Sequence, residues 1–251
     1  MPLEAPLPST EERATELNRS YRHHSATAVV ERALSDPTVG RVALVSSFGA
    51  ESVVLLHMIA KKAPKTPVLF IDTQMLFAET LSYQTRVAEK LGLTNLQVVR
   101  ASETRLATLD PGNDLHDRDT DACCDLRKTQ PLEAALAGFD AWITGRKRFQ
   151  SGTRAALEFF EADGAMRLKV NPLAYWTPSN VQDYMDNNRL PRHPLVAKGY
   201  PSIGCAPCTS PVKAGEDPRA GRWRDAEKDE CGIHFINGKA VRGPSPEGDA
   251  A

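Results

Sequence analysis

Between residues 40 and 145 the chain alternates short, uninterrupted apolar runs with longer amphipathic stretches. Arg41 to Val45 (RVALV), Pro67 to Ile71 (PVLFI), Asn95 to Val99 (NLQVV) and Ala141 to Thr144 (AWIT) read as strands buried on both faces. Ser52 to Lys62, Ala78 to Leu91 and Leu126 to Ala137 repeat their apolar residues at helical spacing. This alternation predicts an α/β fold, a doubly wound and mostly parallel sheet with helices on both faces, in which ligands bind beyond the carboxyl ends of the strands. After about residue 175 the pattern changes to one helix near Pro178 to Asn188 and then a Pro-, Gly- and charge-rich segment from Leu190 to Asp229. Residues 13–189 therefore read as a nucleotide-binding α/β domain and 190–242 as a functional extension without a second core. Residues 1–12 and 243–251 are rich in Pro, Ser, Glu and Gly and short of large apolar residues, and are expected to be poorly ordered tails.

Composition narrows the class. A hydrophobic content of 41% over 251 residues is enough for a core. No apolar stretch has the length of a membrane helix, and the start MPLEAPLPSTEER is not a secretory signal, so the expected address is the cytoplasm, with no membrane. A net charge of -1 argues against a broad nucleic-acid surface. Five cysteines, an odd number, do not read as a disulfide framework, which turns attention to metal binding or thiol chemistry.

The strand ends carry candidate ligand groups. Ser46, Ser47, Gly49 and Ala50 lie in a small-residue turn that leads into the helix VVLLHMI, an arrangement that aims backbone N–H groups at an anion. It lacks the Gly-Lys-Ser/Thr ending of a Walker loop, and taken alone it also reads as a tight turn with a serine cap. Asp72 and Thr73 end the second strand, and Gly145, Arg146, Lys147 and Arg148 end the fourth. A helix cap and a solvated basic turn are the plain alternatives.

Cys123 and Cys124 are adjacent, and Cys205 and Cys208 form a C-x-x-C. Four thiolates complete the ligand set of an iron-sulfur cluster. Cys205 and Cys208 followed by Cys231 and His234 also have the spacing of a zinc ribbon, in which Cys231 would sit in a closed structural site.

Taken together, the Ser-Phe-Gly-Ala-Glu turn, Ile-Asp-Thr, Thr-Gly-Arg-Lys-Arg, Cys-Cys with Lys128 following, C-x-x-C, Ala-Gly-Arg-Trp and Glu-Cys-Gly-Ile-His resemble the thioredoxin-dependent assimilatory adenylyl-sulfate (APS) reductases of the PAPS/APS reductase family, over roughly residues 40 to 236. The resemblance implies a sheet of the adenine-nucleotide alpha-hydrolase-like type and reduction of adenosine 5'-phosphosulfate to sulfite and AMP. It implies one 4Fe-4S cluster on Cys123, Cys124, Cys205 and Cys208, and a nucleophilic Cys231 that carries an S-sulfonate until an external thioredoxin releases it. Lys128, Arg219, Arg222 and His234 would hold the phosphosulfate. The Ser-rich turn with Asp72 and Thr73 would hold the adenosine, and Gly145, Lys147 and Arg148 complete the implied substrate contacts.

Two positions depart from the family pattern: Gln74 stands where Gly is usual, and Ile233 replaces Leu. The segment Thr209 to Glu230 is expected to act as a mobile lid. A PAPS reductase, an ATP-dependent adenylyltransferase or tRNA-thiolating enzyme, and a zinc-ribbon binding protein are the alternatives, and a homo-oligomer is left open.

Overall fold

The computed structural model describes residues 8–224 and, in backbone alone, the paired strands Phe235–Ile236 and Lys239–Ala240. Its first elements are α1 (Thr10–Tyr21) and α2 (Ala26–Ser35). Then β1 (Val42–Ser46), α3 (Val53–Lys62), β2 (Val68–Ile71), α4 (Ala78–Leu91) and β3 (Leu96–Val99) follow in strict alternation. The next stretch is short-helical: α5 (Glu103–Leu109), α6 (Leu115–Arg118), α7 (Thr120–Cys124), a π-helical turn (Asp125–Thr129) and α8 (Gln130–Leu136). After these come β4 (Ala141–Ile143), β5 (Phe160–Asp163), β6 (Arg167–Val170) and α9 (Pro178–Asn187).

The six strands form one sheet in the order β3-β2-β1-β4-β6-β5. β1 lies at its middle, with Leu44 opposite Val68 of β2 on one side and Ile143 of β4 on the other, both pairings parallel. Only β5 runs antiparallel, against β6. The predicted doubly wound architecture therefore stands, and the order switches between β1 and β4, where such sheets open a ligand crevice. Among the described residues no helix is long and apolar enough to cross a membrane.

Two expectations change. Order begins well before residue 13, because Ser9 caps α1 with a reciprocal pair: Glu12 N–H donates to Ser9 Oγ (3.2 Å) and Ser9 N–H to a Glu12 carboxylate oxygen (2.8 Å). Ala14, Leu17 and Tyr21 then bury against the core, and Asn18 hydrogen-bonds both backbone groups of Phe160. Residues 1–7 and the expected tail 243–251 lie outside the described residues. The single helix expected over Leu126 to Ala137 begins as the π-helical turn and becomes α-helical at Gln130.

The hairpin β5–β6 had no apolar signature. Its inward charges are matched instead: Trp142 Nε1–H donates to Asp163 (2.7 Å), and Lys169 pairs with Asp163 (3.3 Å) while its ammonium lies 5.0 Å from the Trp142 ring centroid. The extension after α9 is described as far as Arg224 and in the paired strands Phe235–Ile236 and Lys239–Ala240. It crosses the carboxyl edge of the sheet, where Ala206 N–H donates to Met75 O (2.7 Å) and Leu76 bridges Cys205.

Candidate active site

A cavity of about 300 Å³ opens at the carboxyl ends of β1, β2 and β4, under the C-terminal segment. Its first wall is the turn after β1. Phe48 is fully buried with φ +50°, packs edge-on against Phe70, and donates its N–H to Ser46 Oγ (3.1 Å). With Phe48 anchored inward, Ser46, Ser47, Gly49 and Ala50 line the cavity beside the start of α3, as the sequence predicted.

At the end of β2 the two predicted residues part. Thr73 lines the cavity, and its hydroxyl lies 3.2 Å from Cys205 Sγ. Asp72 does not line it: Arg100 forks onto one carboxylate oxygen (2.8 Å) and the other accepts the Gln74 N–H (2.9 Å). Asp72, expected as a substrate contact, is held off the cavity wall as a loop clamp. The clamp keeps the loop on its path at Gln74, which takes φ +59° in place of a glycine.

The end of β4 divides in the same way. Gly145 and Lys147 face the cavity, and the Lys147 ammonium donates to Glu51 (2.8 Å) and to Gly145 O (2.9 Å). Burial drives its pKa below the usual lysine value, with Glu51 opposing. Arg148 turns the other way, donates to Leu157 O (2.7 Å) and Glu158 (2.9 Å), and stacks 4.1 Å over Tyr175. Arg148, also expected as a substrate contact, is therefore off the cavity wall.

Lys128, Arg219 and Arg222 reach the same cavity from three further directions. Arg222 lies against Gly204, where a Cβ would sit 2.3 Å from its guanidinium, and stacks 4.4 Å over Trp223. Gly221 fits equally closely, since a Cβ there would sit 2.1 Å from Ser210 O. The Thr209–Glu230 segment expected to be a lid is described as far as Arg224, and Ser210 N–H to Gly221 O (2.8 Å) and Trp223 N–H to Cys208 O (3.1 Å) pin that part. Cys231 and His234 lie outside the described residues.

Sequence reasoning named Arg146 among the cations at the strand end without making it a substrate contact and missed Glu51, Gln150 and Arg154; all four are on the cavity wall. Arg154 donates to Gln150, which accepts from Lys147 N–H (3.1 Å), so these side chains form one network. Among the described residues the wall carries six cations, Lys128, Arg146, Lys147, Arg154, Arg219 and Arg222, against two carboxylates, Glu51 and Asp217. Such a surplus selects a multiply charged anion.

One wall of the cavity is also a wall of the cysteine group. Cys123 and Cys205 pack together with Met75, and Cys208 lies against them. Burial pushes the Cys123 thiol up to about 12, and Cys124, Cys205 and Cys208 each add to the rise. Burial also works to raise Cys205, but Lys128, the Thr73 hydroxyl and Arg222 outweigh it and hold this thiol below its ordinary value. Thiols that oppose one another's ionisation in this way have the chemistry of a donor set whose repulsion a bound cation would relieve. Among the described residues no three His, Cys, Asp or Glu converge as around a single ion.

The phosphoadenosine phosphosulfate reductase domain matches residues 41–211 of the chain. An adenosine 5'-phosphosulfate reductase of Mesorhizobium japonicum is 52% identical over 89% of this chain and 87% of its own. A protein of the same name from Chelativorans sp. is 51% identical over 88% and 91%. The crystal structure of a phosphoadenylyl-sulfate reductase from Candida auris, as a phosphate complex, superposes with a TM-score of 0.67 at 28% identity, covering 79% of this chain and 96% of that one. An FMN adenylyltransferase of Candida glabrata, at 17% identity over 83% of this chain and 76% of its own and a TM-score of 0.53, shares the fold alone.

Proposed function

The chain belongs to the phosphoadenosine phosphosulfate reductase family, and we propose that it reduces adenosine 5'-phosphosulfate to sulfite and AMP, an oxidoreductase step of sulfate assimilation. The observation that carries this reading is the single cavity in which the small-residue turn after β1 meets Lys128, Arg219 and Arg222.

In this reading the turn and Thr73 hold the nucleotide. Lys128, Arg219 and Arg222, with His234, bind the phosphosulfate and neutralise the charge that the phosphate gains as it leaves. The Cys231 thiolate attacks sulfur, the S–O bond breaks, and AMP departs with that electron pair, leaving an S-sulfonated cysteine. A dithiol protein of the thioredoxin type then attacks the cysteine sulfur, sulfite leaves, and the donor closes to a disulfide after its second thiol returns the Cys231 thiolate.

The cofactor we propose is one 4Fe-4S cluster held by Cys123, Cys124, Cys205 and Cys208, supported by the mutual repulsion of these thiols. When bound, it supplies an electrostatic and positioning element beside Lys128. The two electrons come from the dithiol, so none need come from the cluster. The proposed setting is the cytoplasm.

The test is sulfite release from APS with a dithiol donor, together with iron and zinc content after purification without oxygen. Cys231→Ser should lower turnover roughly a thousandfold or more and leave about four irons per chain. Equal or faster turnover of the 3'-phosphorylated nucleotide would reassign the substrate. Zinc near one per chain, lost with Cys231, would replace the cluster with a ribbon.

A further inference from the structure

Six of the seven residues from Cys123 to Thr129 are buried, Asp125 being the exception. Successive side chains of a regular α-helix diverge by about 100°, so an unbroken buried run demands useful partners on several sides. The π-helical turn Asp125–Thr129 interrupts the helix at this point, as such turns do at functional sites. It sends two consecutive cations to two different places. Lys128 goes to the cavity and to the Cys205 sulfur.

Arg127 goes beneath the cavity wall. One guanidinium nitrogen donates to the carbonyl of Thr73 (3.1 Å), and the other to Asp110 (2.7 Å) and to the side-chain oxygen of Asn113 (2.7 Å). Asp110 is fully buried and also accepts the Leu115 N–H (2.9 Å), which fixes the carboxylate and so aims the fork. The Arg127 Nε is buried without a hydrogen-bond partner. An arginine placed for stability alone would not orphan a donor, so its direction toward Thr73 is the feature to explain. Thr73 is the residue that touches both sides of the site: it lines the cavity, meets Cys205 Sγ through its hydroxyl, and is followed by the left-handed Gln74.

We infer that Arg127 is a positioning residue which, through the carbonyl of Thr73, couples occupancy of the nucleotide cavity to the cysteine group. It touches neither ligand nor the reacting atoms. The inference rests on the nucleotide reading of the cavity. The π-helical turn is what allows Arg127 to serve Thr73 while Lys128, the next residue, serves the cavity.

The test uses the full chain, purified without oxygen, with AMP as the probe. Two quantities are read: AMP affinity by calorimetry, and the rate at which iron is lost from the cysteine group to a chelator with and without saturating AMP. In the wild type, bound AMP should slow that loss. Arg127→Lys keeps a charge for Asp110 but cannot span from Asp110 to Thr73. It should weaken AMP binding roughly tenfold and abolish the AMP-dependent protection at saturation, with a thermal midpoint close to wild type. Asp110→Asn, which leaves the arginine but frees its aim, should shift both quantities in the same direction by less, and it substitutes if Arg127→Lys fails to fold. Wild-type affinity and protection in the folded variant would overturn the inference, as would wild-type protein that binds AMP without slowing the loss of iron. Absence of AMP binding by the wild type would instead count against the nucleotide reading itself.

Discussion

The two sides of the cavity are built by different means. On the sheet side, the wall hangs from β1, β2 and β4, whose ladders and buried Val, Leu and Ile carry the turn after β1, with Phe48 of the turn anchored among them. On the cysteine side, residues 190–224 and the π-helical turn join the six-stranded sheet by no ladder. They are held by single contacts: the Thr73 hydroxyl on Cys205, Arg222 over Gly204, Ser210 on Gly221, and His193 between Thr80 and Leu195. The comparison teaches that the fold secures nucleotide binding broadly, whereas the group that meets the reacting end depends on a few atoms.

Acid should separate the two sides most. His193 is buried, accepts the Leu195 N–H at Nδ1 (3.2 Å) and therefore donates from Nε2 to Thr80 Oγ1 (3.1 Å), tying the C-terminal segment to α4. Burial lowers its pKa from 6.5 to about 4, with Glu79 opposing. The unfolded chain binds that proton more readily, so the stabilisation is complete above pH 6.5 and is lost as pH falls toward 4, a change on the order of 3 kcal/mol. Hydrogen exchange between pH 7 and 5 should show residues 190–224 losing protection before β1 and β2. Equal loss in both would erase the distinction.

A smaller effect should follow at Gly221. An alanine Cβ would meet backbone oxygen, which cannot rotate away, so Gly221→Ala should destabilise the segment by about 1–3 kcal/mol. AMP affinity should weaken with it, and the denaturant midpoint of the sheet should stay near wild type. Unchanged AMP affinity would show that the segment is not needed to bind the nucleotide.

Smallest is Gln74. A non-glycine residue at φ +59° stores about 1 kcal/mol, so Gln74→Gly should raise stability by up to about that amount, less the entropy that glycine adds to the unfolded chain. Urea titration measures it, and a clear loss would mean that the glutamine side chain contributes something its backbone strain conceals.

The same contrast explains what could be read from the chain. The strands β1, β2 and β4 were legible because burial on both faces leaves continuous apolar runs, whereas β3, read as buried, is an edge strand whose Gln97 and Val98 are exposed; α4 matched its prediction residue for residue. The hairpin β5–β6 was hidden because Glu161, Asp163, Arg167 and Lys169 break its pattern, and only the folded partners Trp142, Glu133 and Arg146 make these charges tolerable. α1 was hidden by its polar surface, although Ser9 with Glu12 is a capping signal that could have revealed it. Asp72 and Arg148 were placed at the correct strand ends but on the wrong side. The groups that draw them away, Arg100 and Glu158, are distant in sequence, and strand-end position alone does not tell which way a side chain turns. Arg154 sits in an aperiodic loop with no motif to announce it.

The charge pair beneath β4 has an optical consequence. Trp142 is almost wholly buried, lines the cavity, and has an ammonium fixed beside its ring and a carboxylate on its indole nitrogen. Its excited state therefore senses a field that the protein holds constant, and the variable part of its surroundings is the cavity itself. A ligand entering there should alter the emission of this indole, so the enzyme carries a built-in fluorescent gauge of its own occupancy, readable without a label.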